Sequence, residues 1–436
     1  MSPGLRTYYL LLITGTISQV GSLISAVSIS IAVFRATGHA TPLTLVEFFS
    51  AVPIVAFGGF AGALADRFDR RLLMLIAQAG FVLCSGLMLW SFASGAFRLW
   101  HLYSLSFASA IFTTLQAPAF RASVVMLVPE AGRDRANAFA QMTGPAARAV
   151  ALAGAGFLYV AIGVVGSILL DIATFLIASA ALAIVRIPQP AETDEGRAFR
   201  GSIWRQTFDG FRYLAARPPL LGLCLYYGAA NFVLGVALIL GTPYFLARTG
   251  SEVLFGFVFS ALNLGALAGA LTMSVWGGTR PRINTVLPGM IVGGVSVALG
   301  GVARNAPELA AGFFVFTFTI PITNAATIGI FQAKVAPDLQ GRVFAAFSQI
   351  NGVSPPISFL IAGPLADQVF EPARRLQTWR LVSWAVGTGP GAGMGLMFVI
   401  AGLTATLFSL AVYAIPAIRR LETTLPDFQT TTPTSP

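Results

Sequence analysis

Charge is scarce in this chain: only 10% of its 436 residues are Asp, Glu, Lys or Arg. A soluble globular domain of this length carries about a quarter. Cysteine is rarer still, and Cys84 and Cys224 lie in separate apolar segments, which excludes a disulfide framework and any metal or redox spacing. The two histidines, His39 and His101, fall near the outer ends of apolar runs and far from other ligands, so no metal site is expected. The apolar runs hold no clustered His or Cys and no paired carboxylates, which argues against a membrane enzyme, and no cofactor is expected. Every basic residue but Lys334 is an arginine, and the arginines are scattered between apolar runs. The net charge of +10 therefore forms no patch for nucleic acid.

What the chain has is apolar length. It is 56% hydrophobic, with a mean hydropathy of +0.78. Runs of about 20 apolar residues fall near 8–34, 41–64, 72–94, 98–120, 137–160, 163–185, 219–246, 253–276, 284–303, 308–332, 342–370 and 394–418. The expected class is an all-α polytopic membrane protein with twelve transmembrane helices. The fifth and sixth spans are separated only by a turn at Gly163. The first run is too long for a signal-peptide core and is expected to stay as the first span.

Arginine sets the orientation. With the N-terminus inside, the inner segments hold Arg6, Arg67, Arg70, Arg71, Arg133, Arg135, Arg280, Arg282, Lys334, Arg342, Arg419 and Arg420, with more in a polar connector. The outer loops hold Arg35, Arg98, Arg248, Arg304, Arg374, Arg375 and Arg380. This bias puts both termini in the cytoplasm.

The halves repeat. Laying Pro129-Glu130-Ala131 on Pro337-Asp338-Leu339, a shift of 208 positions, also lays Gln141 on Gln349, Gly144 on Gly352 and Gln116 on Asn324. The expected organisation is a six-helix bundle over 1–185, a cytoplasmic connector over 186–217, a second bundle over 218–418 and a cytoplasmic tail over 419–436. In the connector Trp204, Phe208 and Phe211 stand at helical spacing, which suits an amphipathic helix on the inner leaflet.

Between spans two and three a glycine-spaced helix, Gly58 to Ala65, runs straight into Asp66-Arg67-Phe68-Asp69-Arg70-Arg71. So much charge is costly in hydrocarbon, so the cluster is a short hinge on the aqueous side. It is either a topology anchor or a gating loop. Glu47 and Asp171 are carboxylates inside spans two and six, and Arg148 is a cation inside span five. Ionisable groups at such depth are functional candidates by default. Glu47 either faces a cavity, where it can load and release a proton, or sits among headgroups; Asp171 and Arg148 are either an ion pair between neighbouring helices or part of a proton relay. Gln116, Asn231, Asn263, Asn324 and Gln349 are candidate cavity-lining residues, with interhelical hydrogen bonding as the plainer role. Gly144-Pro145 and Pro355-Pro356 are hinge candidates, because proline removes a helical hydrogen bond. Asp367 resembles Asp66 locally, yet counting spans places it on the opposite face.

Gly62, Asp66, Arg67, Arg70 and Arg71 match, with Asp69 where a glycine is usual, the Gly-x-x-x-Asp-Arg-x-Gly-Arg-Arg motif of the major facilitator superfamily. Gln116-Ala117-Pro118-Ala119-Phe120, Leu170-Asp171-Ile172-Ala173-Thr174-Phe175 and Gly341-Arg342-Val343-Phe344-Ala345 resemble its bacterial macrolide-efflux and siderophore-exporter branch. The resemblance implies two parallel six-helix bundles and an inter-half latch at Asp66. It also implies a monomeric, proton-coupled antiporter in the bacterial inner membrane that exports a bulky, partly apolar drug, macrolide or siderophore-like molecule. Gly144-Pro145 is followed by Ala147-Arg148, where proton-driven exporters carry glycines, so antiport rests on less than transport does. A lipid carrier, an importer of the same fold and a non-transporting membrane sensor or assembly partner are the alternatives.

Overall fold

The computed structural model describes residues 3–128, 133–185 and 211–425. Helices cover all twelve apolar intervals: α1 (Pro3–Thr37), α2 (Thr41–Arg67), α3 (Arg70–Ala93), α4 (Leu99–Leu127), α5 (Arg133–Ile184), α6 (Pro218–Leu238), α7 (Gly241–Thr249), α8 (Glu252–Trp276), α9 (Ile283–Val302), α10 (Ala306–Lys334), α11 (Pro337–Leu365) and α12 (Ala392–Ala414). The expected fifth and sixth spans are continuous as α5 except at Gly163, whose φ of 66° and ψ of −174° break the helix. A side chain disfavours such a backbone, so glycine sets the turn. The expected seventh span is α6 and α7 joined end to end. Among the described residues, nine segments are long and apolar enough to cross a membrane. The helix over 99–127 and the one over 337–365 add 29 residues each.

The helix ends follow from local chemistry. Asp69 caps α3: its carboxylate accepts from the backbone N–H of Arg71 (2.8 Å) and of Leu72 (3.2 Å). The acid that replaces the usual glycine is thus a helix cap. Asn305 caps α10 by accepting from Glu308 N (2.9 Å), and the Glu308 carboxylate accepts in return from Asn305 Nδ2 and Arg304 N, both at 2.7 Å. Gly250 ends α7 in the left-handed conformation. Leu83, Phe157, Val160, Ile184, Val275 and Leu407 stand outward and more than half exposed, as lipid-facing residues of a membrane helix do.

The chain forms two compact units, one comprising 1–199, 240–260 and 359–369, the other 200–239, 261–358 and 370–436. The first has apolar clusters around Tyr8, Leu11 and Met74 and around Ile29, Val33 and Ile168. The second packs around Leu220, Tyr226, Tyr227, Val286 and Phe331. Phe211 packs against that second core, while Trp204 and Phe208, with most of the expected amphipathic helix, lie outside the described residues. So do the acidic part of the connector, residues 129–132 of the repeat, and most of the tail.

Candidate functional site

The first unit is hollow. A cavity of about 320 Å³ opens among α1, α2, α3, α4 and α5, and its wall holds Glu47, Asp171, Ser22, Ser85, Ser109 and Thr113 in an otherwise mainly apolar lining. Two of the carboxylates singled out from separate stretches of sequence therefore face one space. Glu47 sits less than two turns into α2, and its exposed side chain borders the cavity.

Asp171 is deeper, at 5% exposure. Its two carboxylate oxygens accept 2.8 Å bonds from Ser22 Oγ of α1 and Ser85 Oγ of α3. These bonds satisfy the charge without a cation and tie three helices to one side chain. The ion pair with Arg148 considered from the sequence is not formed. Arg148 is exposed on α5, and the carboxylate within its electrostatic reach is Glu47. The pairing differs because tertiary packing, not proximity along α5, sets which side chains meet.

Beside this cavity lies another of about 250 Å³, with Gln19, Gln78, Gln116 and Thr113 in its wall, and an apolar pocket of about 380 Å³ bordered by Tyr9, Ile13, Ile17 and Phe139. Of the five candidate cavity residues, Gln116 alone borders any of these three spaces. Asn231 instead donates to Asn351 Oδ1 (3.0 Å), joining α6 to α11, where Ser354 and Ser358 also donate to the carbonyls of Gly228 and Phe232 at 3.1 Å. Asn263, Asn324 and Gln349 lie on α8, α10 and α11, the last two exposed.

Of the charged motif, α2 carries Gly62, Asp66 and Arg67 at its end, and their side chains lie outside the described residues. Arg71 donates from Nε to Leu182 O (3.3 Å) and from a terminal nitrogen to Ala183 O, so it occupies the C-terminal carbonyls of α5. Arg70 opens α3. The opposite end of α2 carries a contact that sequence reasoning missed. Asp367 accepts from Ala40 N (2.9 Å), Thr41 N (2.7 Å) and Thr41 Oγ1 (2.6 Å), and so caps α2 from 326 residues away. His39 Nδ1 stands 3.8 Å from the same carboxylate. Gly363 allows the approach, because a Cβ there would overlap Thr41 and Thr44. The signal was present: Gly363-Pro364-Leu365-Ala366-Asp367 repeats the spacing of Gly62-Ala63-Leu64-Ala65-Asp66. Arg35 pairs with Glu252, the first residue of α8.

The hinge candidates sit inside helices. Pro145 is internal to α5, and α11 runs unbroken through Pro355-Pro356 before ending in a π-helical turn over Ala366–Phe370. The expected kink at the double proline does not interrupt the helix. The boundary between the compact units nevertheless crosses α11 at 358/359, just past Pro356. Among the described residues, no group of three His, Cys, Asp or Glu comes together to hold a metal ion.

The chain is similar to macrolide efflux protein A of Streptococcus pyogenes, with 25% identity over 369 residues that cover 81% of this chain and 87% of the relative. It is 22% identical over 427 residues to the multidrug efflux pump Tap of Mycolicibacterium fortuitum, covering 95% and 96%. In fold it is similar to the crystal structure of a bacterial homologue of the human lysosomal transporter Spinster in an inward-facing, unoccupied conformation, with a TM-score of 0.72, 13% identity, and 96% and 98% coverage. A sequence model described as the Major Facilitator Superfamily matches residues 11–359. With its apolar helices and carboxylate-lined cavity, the chain is thus a multi-pass membrane transporter, not an enzyme, and belongs to the Major Facilitator Superfamily.

Proposed function

We propose that this chain is a proton-coupled exporter of bulky, partly apolar amines. Two six-helix bundles alternate access to a central site, in a bacterial inner membrane with both termini in the cytoplasm. The observation that carries this reading is the placement of Glu47 and Asp171 in one largely apolar cavity. An ionised carboxylate there attracts a cationic substrate, and a proton arriving from outside neutralises it and releases the cation. Substrate and proton thus compete for the same oxygens, which is what antiport requires. Each charge crossing downhill contributes about 2.3 kcal/mol per 100 mV. Efflux names among the relatives support the outward direction. Gly144-Pro145 and Pro355-Pro356 serve as the flexible points, Asp66 as a latch between the halves, and the unit acts as a monomer.

The test is accumulation of lipophilic amine dyes, macrolides and siderophores in bacteria that lack their own exporters. Each compound is run with and without a protonophore and against Glu47→Gln. Lower accumulation that vanishes in both controls is the expected result. Export that survives the protonophore would make the chain a facilitator, and no export of any compound, with the protein confirmed in the membrane, would overturn the reading.

A further inference from the structure

The 250 Å³ cavity carries chemistry of its own. Among the described residues its lining is mainly apolar and uncharged, with the amides of Gln19, Gln78 and Gln116 standing among Thr14, Thr16, Thr113 and Thr143. Three of the threonine hydroxyl protons are already engaged with their own helices. Thr14 donates to Leu10 O (2.8 Å), Thr16 to Leu12 O (2.7 Å) and Thr113 to Ser109 O (3.0 Å). Each of these hydroxyls is left with lone pairs and no free proton. The amides bring donors and acceptors together, so the threonines tilt the wall towards acceptors. Gln78 sharpens the tilt, because its side chain is 4% exposed and its Oε1 is buried with no hydrogen-bond partner. A buried acceptor without a partner is rare and costly, and it marks a place where a donor belongs.

The position of this wall matters as much as its composition. Thr113 borders both this cavity and the one that holds Glu47 and Asp171. Leu12, Thr16 and Thr143 border both this cavity and the apolar pocket of Tyr9 and Phe139. Along the first unit, a carboxylate zone, an acceptor zone and an apolar zone therefore follow one another.

We propose that the acceptor zone is a second binding subsite that takes the hydroxyl-bearing portion of the substrate. The inference rests on the export reading above and narrows its substrate class to amines that also carry free hydroxyls next to an apolar body. The amine meets the carboxylates, the hydroxyls donate to Gln78 Oε1 and the threonine oxygens, and the apolar body fills the pocket beyond. A second ammonium group is the poorer occupant, since among the described residues no carboxylate lines this zone to balance it.

The test uses two lipophilic tertiary amines that are identical except that one carries free hydroxyls and the other has them methylated. Their binding to the purified full-length protein in lipid nanodiscs is measured by calorimetry. Wild-type protein should bind the hydroxylated amine about tenfold more tightly, the effect of one or two buried hydrogen bonds. Gln78→Leu should erase that preference, so that the two amines bind equally. Gln116→Leu should reduce it, and that variant decides the matter should Gln78→Leu fail to fold. Equal binding of the two amines by wild-type protein overturns the inference. A preference that persists in Gln78→Leu, together with a raised melting temperature, also overturns it, because the orphan oxygen would then hold a structural water only. Failure of the export reading looks different: the binding preference is found, yet cells export neither amine.

Discussion

Among the described residues, the polar groups in the interiors of the two units are arranged differently. The first is hollow, and its polar side chains face space: Asp171 hangs from Ser22 and Ser85 at the wall of a cavity that Glu47 shares. The second packs Tyr226, Tyr227 and Phe331 into a dense core in which hydroxyls pair with hydroxyls. There Ser409 Oγ donates to Ala405 O (2.6 Å), which leaves Tyr226 OH to donate to Ser409 at 2.7 Å. Tyr227 OH lies 2.8 Å from Thr327 Oγ1. A neutral pair of this kind has one stable arrangement, whereas a carboxylate beside a cavity has two, charged and protonated. On the export reading proposed above, that difference puts chemistry in the first interior and support in the second.

Two substitutions break that contrast if it is wrong. Asp171→Asn keeps the shape and an acceptor for one serine but removes the titratable group, so proton-driven efflux in proteoliposomes should fall by at least about tenfold. The melting temperature should hold or rise, since a buried charge is gone. Tyr226→Phe should do the reverse, costing about 1 kcal/mol of stability for the lost bond while transport stays near wild type. Equal effects of the two on transport would erase the distinction.

Helix starts draw the same contrast with a smaller expected effect. In the second unit α10 is capped within its own turn by Asn305 and Glu308. In the first, α2 is capped by Asp367, from the far side of the sequence. A local cap travels with its helix, and a remote one breaks whenever α2 and the end of α11 part. Asp367→Ala should therefore cost about 1–2 kcal/mol of local stability, and amide hydrogen exchange at Ala40 and Thr41 should accelerate by about five- to thirtyfold. Asn305→Ala should speed exchange only within the first turn of α10 and leave transport unchanged. Unaltered exchange in Asp367→Ala would make the remote cap a passive contact. At the other end of α2, Asp66→Asn should impair transport without preventing insertion; wild-type transport in that variant would leave the motif as a topology anchor.

The helices were legible because apolar length and arginine placement are local properties. Gly163 was legible too, since a single Gly-Val turn stood between two spans and glycine tolerates the φ of 66° found there. Glu47 and Asp171 were legible as candidates, because any carboxylate inside an apolar run is expensive. Their meeting at one cavity was not, since it depends on how α2 and α5 pack. For the same reason Arg148 suggested itself as the partner of Asp171, and the serines that hold that carboxylate, ordinary residues on α1 and α3, gave no signal. Asp367 shows where counting spans stops helping. Counting placed it on the face opposite Asp66, but it carried no information about the helix start waiting there. Gln78 was invisible, because a glutamine in an apolar run is unremarkable until its oxygen proves to have no partner.

The smallest expected effect concerns the residue that departs from the superfamily's motif. Asp69 stands where glycine is usual, and it caps α3 through Arg71 N and Leu72 N. If capping is its whole contribution, Asp69→Ala should destabilise by about 1 kcal/mol and Asp69→Gly by only a few tenths, because a glycine cap leaves its helix N–H groups open to water. Transport should be unchanged in both, since Arg71 still holds the end of α5 through Leu182 O and Ala183 O. Thermal melts of the two variants beside efflux rates check this order. A transport defect in Asp69→Gly with an intact melting temperature would mean that the extra acid acts in the gating loop itself. The motif would then carry two working carboxylates, and the local cap at α3 would join the remote cap at α2 as part of the moving machinery.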